Sequence, residues 1–187
     1  MDPDRTGFDS RLELATFAPV GHDAARVRIP RPVKHQDQEF CTIRAMLKGI
    51  SPALSPDLLM ILAEMGHGDE LVITDAHFPG HSTGLRVLRA DGMGVKTLLD
   101  GILALFPLDT YDDPLYMMAP VEGDSWDPAI EPEYMAIVHR HEPWSPAPTK
   151  LERFDFYERA AQAYAVLVTG DRRKYANIIL KKGVVLE

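Results

Sequence analysis

A single cysteine, Cys41, occurs among the 187 residues of this chain, so no disulfide can form within it. No apolar run approaches the length that a membrane-spanning helix requires. The first residues, MDPDRTGFDSR, are acidic and polar and contain no apolar segment of the kind that directs secretion. These absences predict a soluble, cytoplasmic protein that does not contact a membrane.

Positive charge is also in short supply. The chain has 20 lysines and arginines against 28 aspartates and glutamates, which gives a formal charge of −8 and an isoelectric point near 5.3. Basic residues cluster only at 172–174 and 181–182, so the basic surface typical of a nucleic-acid-binding protein is missing. We therefore expect neither a nucleic acid nor a polyanionic ligand as a partner.

Several catalytic motifs are absent. DGMG and PGHSTG match neither a phosphate-binding loop nor a dinucleotide fingerprint, which argues against kinases and dehydrogenases. No G-x-S-x-G motif occurs, and Cys41 lies in a segment without a regular pattern, so no nucleophile for covalent hydrolysis is evident.

His77 and His81 have the i, i+4 spacing of metal ligands on a helix, and Asp75 would complete a triad. Pro79 lies between the two histidines and breaks the helix that would bring both onto one face. Further cysteines are absent, and carboxylates are scarce nearby. We therefore expect no metal site here.

The chain changes character near Met46. Residues 1–45 carry scattered charges and no sustained hydrophobic period, and Pro30 and Pro32 hold their segment extended. We expect a poorly ordered extension there. Compact apolar runs begin after it, and the composition, 45% hydrophobic and 26% charged, is that of a globular protein. Residues 46–187 are therefore predicted to form one domain.

The first helix and strand of this domain are strongly marked. Ser55 is placed to cap the helix, Pro56 to occupy its first position, and Gly66 to end it in the left-handed conformation. The apolar run ELVIT that follows suits a strand buried on both faces.

Amphipathic helices and apolar strands alternate through the rest of the domain. Further helices are predicted over residues 94–106, from a cap at Asp127 to near His139, and over residues 154–162. Strands are predicted at LYMMA, AYAVLVTG and NIILKKG, a strand or ordered turn at LRVLRADG, and surface loops at DAHFPGHSTG and HEPWSPAPTK. This alternation predicts an α/β fold, with a mostly buried sheet and helices on both faces. The order of the strands cannot be read from the sequence.

The densest chemistry lies in EMGHGDELVITDAHFPGH, where one strand has a titratable residue at each end. His67 lies between two glycines at a helix end, which favours a side chain facing a cleft, and histidine exchanges protons readily near neutral pH. A surface-loop or helix-capping histidine fits the same pattern equally. Asp75 follows the strand, where open α/β sheets bind ligands and a carboxylate can accept hydrogen bonds from a sugar. An Asx-turn that closes the strand explains Asp75 as well.

Two places near the end of the chain also carry polar side chains of interest. Arg153 and Glu158 are the unusual members of RFDFYERA, a helix whose aromatic face belongs to the core by default. Tyr175 and Asn177 begin the last predicted strand, where a phenol and an amide can both bind a polyhydroxylated ligand. Ordinary hydrogen bonding at a strand edge also explains them.

Five stretches together resemble the ribose pyranase and fucose mutarotase family: LKGISPALSPDLLMILAEMGHGDELVITDAHFPGHS, RADG, PLYMMAPVEGD, RFDFYERAAQAYAVLVTG and YANIILKKGV. The resemblance implies the ribose pyranase fold and an isomerase that interconverts the α and β anomers of L-fucose, or of a similar free hexose. The ring would open and close by general acid/base catalysis, with no metal and no cofactor. A ribose pyranase-type isomerase and a monosaccharide-binding protein without turnover are the alternatives.

The resemblance also implies site residues. The glycine-flanked histidine of the family, its proton donor, corresponds to His67, and the aspartate of the DAHFP motif corresponds to Asp75. The arginine ahead of the F-x-FYER helix corresponds to Arg153, and an arginine rather than a histidine there resembles the fucose branch. The Tyr-x-Asn motif that binds the substrate corresponds to Tyr175 and Asn177.

The separation of His67 from Asp75 limits how such a site can be built. Eight steps of extended strand span up to about 26 Å, which one monosaccharide cannot bridge. Either the flanking loops turn back toward each other, or two subunits complete the site. The family forms ring-shaped oligomers, pentamers stacked into decamers, with sites at subunit contacts. We therefore expect a homo-oligomer in which His67 of one copy meets Tyr175 and Asn177 of its neighbour.

Overall fold

Six strands form one mixed sheet in the computed structural model, which describes residues 47–185. The strands are β1 Glu70–Thr74, β2 Val87–Ala90, β3 Leu115–Met118, β4 Thr149–Leu151, β5 Ala165–Thr169 and β6 Ile178–Lys181. Their order across the sheet is β2-β5-β1-β6-β3-β4. Strands β1 to β5 point the same way, whereas β6 runs antiparallel to both of its neighbours. The predicted extension, residues 1–45, lies outside the described residues.

Helices cover both faces of this sheet. The helices are α1 Pro56–Glu64, α2 Gly80–Thr83, α3 Val95–Leu103, α4 Ile130–His141 and α5 Arg153–Gln162. Because successive strand residues face opposite sides, Leu71 and Ile73 of β1 pack with the apolar residues of α1, α3 and α4. Val72 packs on the other side, with Phe156 of α5. The predicted α/β fold with helices on both faces is confirmed. No helix within residues 47–185 is both long and apolar enough to cross a membrane.

The first helix begins as predicted but ends differently. Ser55 caps α1 by accepting a hydrogen bond from the Leu58 N–H at 3.1 Å. The predicted left-handed stop at Gly66 is wrong. Instead, Lys182 Nζ donates to the carbonyl oxygens of Leu62 and Met65, at 2.7 and 2.6 Å, so a side chain from the end of the sheet binds the free carbonyls of the helix.

The left-handed glycine lies two residues further on. Gly68 has a φ of 86°, and its N–H donates to the Lys182 carbonyl at 2.8 Å. The loop between α1 and β1 is therefore turned by Gly68 and not by Gly66.

Two other predicted boundaries are corrected. Asp127 accepts a hydrogen bond from Ala129 N–H at 3.0 Å, which closes a turn, so α4 starts only at Ile130 and continues to His141. The stretch HEPWSPAPTK is not entirely loop, because its last two residues enter β4. Strand β4 lies at the sheet edge, where a short strand needs a partner on one side only and prolines can precede it. Helix α2 likewise forms in a stretch predicted as loop.

Gly170 follows β5 directly and packs closely against the backbone at Asp91. A Cβ atom there would overlap the carbonyl oxygen of Asp91. Because backbone cannot move aside by changing a rotamer, Gly170→Ala is expected to lower the free energy of unfolding by about 1–3 kcal/mol in urea titrations. Gly92→Ala is the matched control, since a Cβ there would meet no described atom within 4 Å. Equal urea midpoints for the two variants would contradict the prediction.

Candidate functional site

The reversed direction of β6 brings distant parts of the chain to one edge of the sheet. Asp75 follows β1, and Met118 ends β3, so both lie at the carboxyl ends of parallel strands. Asn177 immediately precedes the antiparallel β6 and therefore lies at the same edge. The Met118 N–H donates to Asn177 Oδ1 at 3.2 Å, within a buried pair. This edge is where open α/β sheets bind their ligands.

A cavity of about 290 Å³ opens at this edge. Four of the five predicted site residues line it: Asp75, Arg153, Tyr175 and Asn177. The remaining lining residues are His77, Phe78, Met118, Asp124, Tyr157 and Lys174. Polar groups from separate segments thus converge on one apolar-walled space, an arrangement typical of small-molecule sites.

Asp75 is a buried member of the cavity lining. Its Oδ1 accepts a hydrogen bond from the His77 N–H at 2.8 Å, which is the Asx-turn that the sequence also allowed. The next residue, Ala76, donates its N–H to the Asp171 carbonyl at 2.7 Å, so the start of the loop is tied to the end of β5. Burial raises the pKa of Asp75, and the hydrogen bond from His77 only partly opposes that rise.

Tyr175 has an uncommon backbone conformation. Its φ of 63° lies in the left-handed region, where a bulky side chain is rarely found except where the surrounding structure holds it. The Asn177 N–H donates to the Tyr175 carbonyl at 2.8 Å and closes a tight turn. The phenol donates to Asp124 Oδ2 at 2.8 Å and accepts from the Val121 N–H at 3.3 Å. Burial and the negative charge of Asp124 raise the pKa of Tyr175.

An arginine network fixes the turn that leads into Tyr175. Arg173 donates to Asp171 Oδ2 at 2.9 Å and to Glu133 Oε2 at 2.8 Å, which ties the turn to α4. Burial acts to raise the pKa of Asp171, but the bonds from Arg173 outweigh it and hold that pKa below its usual value. The turn therefore remains charged and anchored at neutral pH.

The cavity lining also combines a cation with aromatic rings. Arg153 is the first residue of α5, and its guanidinium lies 4.9 Å from the centre of the Phe154 ring. The Phe78 and Tyr157 rings are 5.5 Å apart and tilted against each other. Charged and amide groups together with aromatic rings suit a ligand with both hydroxyl groups and C–H surface.

His67, the fifth predicted residue, does not line this cavity. It lies before β1, at the end of the strand opposite Asp75. Its Nε2 is 3.2 Å from Asp109 Oδ1, and its ring centre is 5.5 Å from that of Tyr111. The side chain of His67 is 45% exposed, whereas that of Asp109 is only 2% exposed. The structure therefore places the histidine on the surface, backed by a buried carboxylate.

Asp109 is held in a charged state. Burial acts to raise its pKa, but hydrogen bonds from the Tyr111 N–H and His67, together with the positive charge of Lys181, hold that pKa below its ordinary value. The Asp109 N–H also donates to the Lys181 carbonyl at 3.0 Å. A fixed carboxylate in this position can orient the imidazole and stabilise its protonated form.

Sequence reasoning missed two carboxylates. Asp109 carries no local signal, because it lies 42 residues from His67. Asp124 could have been found, since it lies in the polar turn after β3, and polar residues in the turns after such strands lie near one edge of the sheet. The predicted residues thus divide into four around one cavity and His67 at the far end of β1. Within residues 47–185, no group of three or more His, Cys, Asp or Glu side chains is arranged to hold a metal ion.

The described domain matches a known family and its relatives. A model of the RbsD / FucU transport protein family matches residues 48–185. An L-fucose mutarotase of Actinobacillus pleuropneumoniae serotype 5b (strain L20) is 58% identical over 140 residues, which are 74% of this chain and 97% of that relative.

Two solved structures resemble the fold. The crystal structure of the fucose mutarotase in complex with L-fucose from Streptococcus pneumoniae has a TM-score of 0.71 and 47% sequence identity, and the match covers 75% of this chain and 100% of that chain. The structure of Bacillus subtilis RbsD complexed with D-ribose has a TM-score of 0.54 and covers 71% of this chain and 95% of that chain. Its identity is 23%, so it supports the fold alone.

The raised pKa of Asp75 has a consequence for stability. An acid whose pKa is raised by folding stabilises the fold below its unfolded pKa, near 3.8, and that contribution is lost as the pH rises through the folded pKa. Asp75→Asn removes the buried charge, so the variant is expected to be more stable than the wild type at pH 7, by roughly 0.5–1 kcal/mol. The difference should shrink toward pH 3 in thermal or urea unfolding.

Asp91→Asn is the control for this test. Asp91 is exposed and paired with Arg89, which holds its pKa below the usual value, so removing its charge should not stabilise the protein at pH 7. An Asp75→Asn variant that is less stable than the wild type at pH 7 would contradict the prediction.

Proposed function

Because this chain belongs to the RbsD / FucU transport protein family, as its motifs predicted, we propose that it is an isomerase that interconverts the α and β anomers of L-fucose. The observation that carries the proposal is the cavity at the carboxyl edge of the sheet, where Asp75, Arg153, Tyr175 and Asn177 converge. The substrate is inferred from the relatives named for L-fucose, which this chain covers over nearly their whole length.

Anomer exchange makes modest chemical demands. A proton is delivered to the ring oxygen while the anomeric hydroxyl gives its proton to a base or to solvent water, and the bond between the anomeric carbon and the ring oxygen breaks to leave the open-chain aldehyde. Rotation about the bond to the aldehyde carbon and reclosure give the other anomer. Each well-placed acid or base contributes about 10²- to 10⁴-fold. Side chains alone can perform this reaction, with no cofactor or metal ion.

The four residues around the cavity bind the sugar. Asp75 and Asn177 offer acceptor oxygens and an amide to the hydroxyl groups, and Arg153 donates hydrogen bonds to them. Tyr175 contributes its phenol, which already lies in a hydrogen-bonded position. The aromatic wall formed by Phe78 and Tyr157 packs against the C–H surface of the sugar.

His67 donates the proton, and it reaches the sugar from another copy of the chain. Within one copy, β1 separates His67 from the cavity. A contact between the His67 end of one copy and the cavity end of the next uses two different surfaces, and such contacts generate closed rings when the rotation permits. We assign the chain to such a ring, a pentamer that stacks into a decamer.

Asp109 supports His67 in this arrangement. It accepts the hydrogen bond from Nε2, which leaves Nδ1 to exchange a proton with the sugar, and its charge favours the imidazolium that delivers the proton. The neighbouring Tyr111 is 76% exposed, which suits a surface that a second copy covers.

Saturation-transfer NMR of L-fucose tests the activity directly. The wild type should accelerate exchange between the anomers, and His67→Ala should reduce that acceleration about 10²-fold or more, since it removes the proton donor. His81→Ala is the matched control, because His81 is an exposed histidine on α2 that lies outside the cavity. If the wild type does not raise the rate of anomer exchange above the uncatalysed rate, the proposed function is overturned. Full activity in His67→Ala would remove this residue from the mechanism.

Co-expressed mixtures of variants test the shared site. In equal mixtures of His67→Ala and Tyr175→Phe subunits, about one quarter of the sites should combine an intact His67 with an intact Tyr175 from the next copy. Activity in the mixture should therefore exceed that of either variant alone, each of which is expected to have lost most of its activity.

The double variant His67→Ala/Tyr175→Phe, mixed equally with the wild type, provides the control. Shared sites should retain about one quarter of the activity of the wild type, whereas sites contained within one chain would retain about one half. Absence of recovery in the first mixture, with one half retained in the second, would show that sites are not shared.

A further inference from the structure

Asp124 lines the cavity but was not predicted from the sequence, and both of its carboxylate oxygens accept hydrogen bonds. Its Oδ2 accepts from the Tyr175 hydroxyl at 2.8 Å. Its Oδ1 accepts from Lys174 Nζ and from the Ser125 N–H, each at 2.8 Å. The turn after β3 holds it in place, since the Asp124 N–H donates to the Val121 carbonyl at 3.0 Å. Both carboxylate oxygens are thus engaged, one of them by the phenol.

The Tyr175 hydroxyl has a defined hydrogen-bonding pattern as a result. A phenol has one proton to donate and two lone pairs that accept. The proton is directed to Asp124, and one lone pair accepts from the Val121 N–H at 3.3 Å. The second lone pair is left to accept a hydrogen bond from a molecule in the cavity, which Tyr175 lines.

We propose, on the basis of the function proposed above, that Asp124 is a positioning residue for Tyr175. By holding the phenol proton, Asp124 makes Tyr175 an acceptor toward a sugar hydroxyl and increases the negative charge on the phenol oxygen. Tyr175 thereby accepts a hydrogen bond from the anomeric hydroxyl and orients it without taking up its proton, while the ring oxygen is protonated by His67 of the neighbouring copy. His67 and Tyr175 are then each held by an aspartate, Asp109 and Asp124.

The electrostatics of the turn agree with a positioning role. Hydrogen bonds from Lys174 and Tyr175 hold the pKa of Asp124 below its usual value, so Asp124 remains a carboxylate and does not itself take up the proton. Asp124 and Lys174 are the charged groups that act on the Tyr175 hydroxyl. Asp75, His77 and Arg153 line the same cavity. Removal of the Asp124 charge should therefore lower the pKa of the phenol.

A spectroscopic titration tests the proposal without substrate. The absorbance of tyrosinate is followed against pH for the wild type and for Asp124→Asn, each minus the same protein carrying Tyr175→Phe, so that only Tyr175 is observed. The phenol should ionise at lower pH in Asp124→Asn than in the wild type. Asp124→Glu, which keeps the charge, should restore ionisation at the higher pH. A phenol that ionises at the same pH in all three proteins would overturn the proposal.

The steady-state kinetics of anomer exchange provide a second test. Asp124→Asn should lower kcat for anomer exchange about ten- to a hundredfold, the range expected for the loss of a hydrogen bond to a charged group, with a smaller change in KM. Lys174→Gln, which removes the ion pair but leaves the contact between Tyr175 and Asp124, should lose less. An unchanged kcat and pH profile in Asp124→Asn would overturn the positioning role.

The two proposals can fail separately. If the wild type does not accelerate exchange of L-fucose anomers, the proposed function fails, yet the titration of Tyr175 still decides whether Asp124 controls the phenol. If the wild type is active and Tyr175 ionises at the same pH in Asp124→Asn as in the wild type, only the role of Asp124 is overturned. Asp91→Asn, which alters a surface carboxylate paired with Arg89, should behave like the wild type in both measurements.

Discussion

The antiparallel insertion of β6 between β1 and β3 is the constraint on which the rest of the site depends. Because β6 runs against its neighbours, its first end delivers Tyr175 and Asn177 to the edge where β1 and β3 finish. Its other end delivers the carbonyls of Lys181 and Lys182 to the loops that carry Asp109 and Gly68. One short strand, paired on both sides, thus supports both the cavity and the surface loop that carries His67.

Two residues of the cavity lining are locally destabilising, and contacts from neighbouring elements offset that effect. Asp75 is a buried acid with a raised pKa, and Tyr175 has a left-handed backbone. Such features persist where neighbouring structure over-determines them. Here the Arg173 network ties the turn before Tyr175 to α4, and the Ala76 N–H ties the loop after β1 to the end of β5. The rigid helices and strands therefore hold the polar groups in place before any ligand arrives.

Local sequence signals were sufficient for the elements that contain them. Ser55 and Pro56 mark the start of α1, and the apolar run ELVIT marks β1, so the placement of His67 and Asp75 at the two ends of one buried strand could be predicted. The left-handed stop at Gly66 could not be judged from the sequence. The competing interaction comes from Lys182, 117 residues from the Met65 carbonyl it binds.

Contacts between distant residues also determine which side chains meet in the candidate site, and the sequence alone does not reveal them. Asp109 meets His67 only because Leu108 forms a β-bridge with Lys182, a pairing between distant segments that leaves no local pattern. The contact between Asp124 and Tyr175 similarly joins residues 51 positions apart. The family resemblance indicated residues that are expected to bind a ligand. The carboxylates that orient those residues became visible only when the sheet order was known, because the reversed strand determines which turns become neighbours.

The short length of β6 also limits how chains with this fold can diverge. Ile178 and Leu180 pack in one core cluster and Ile179 in the other, so a single inserted or deleted residue would exchange the two faces of the strand. The same change would shift Tyr175 by about 3.3 Å relative to Lys182 and so alter the spacing between the cavity and the histidine loop. Length variation is therefore expected in the turns that follow β3 and α4, while β6 keeps its residue count even where its side chains change.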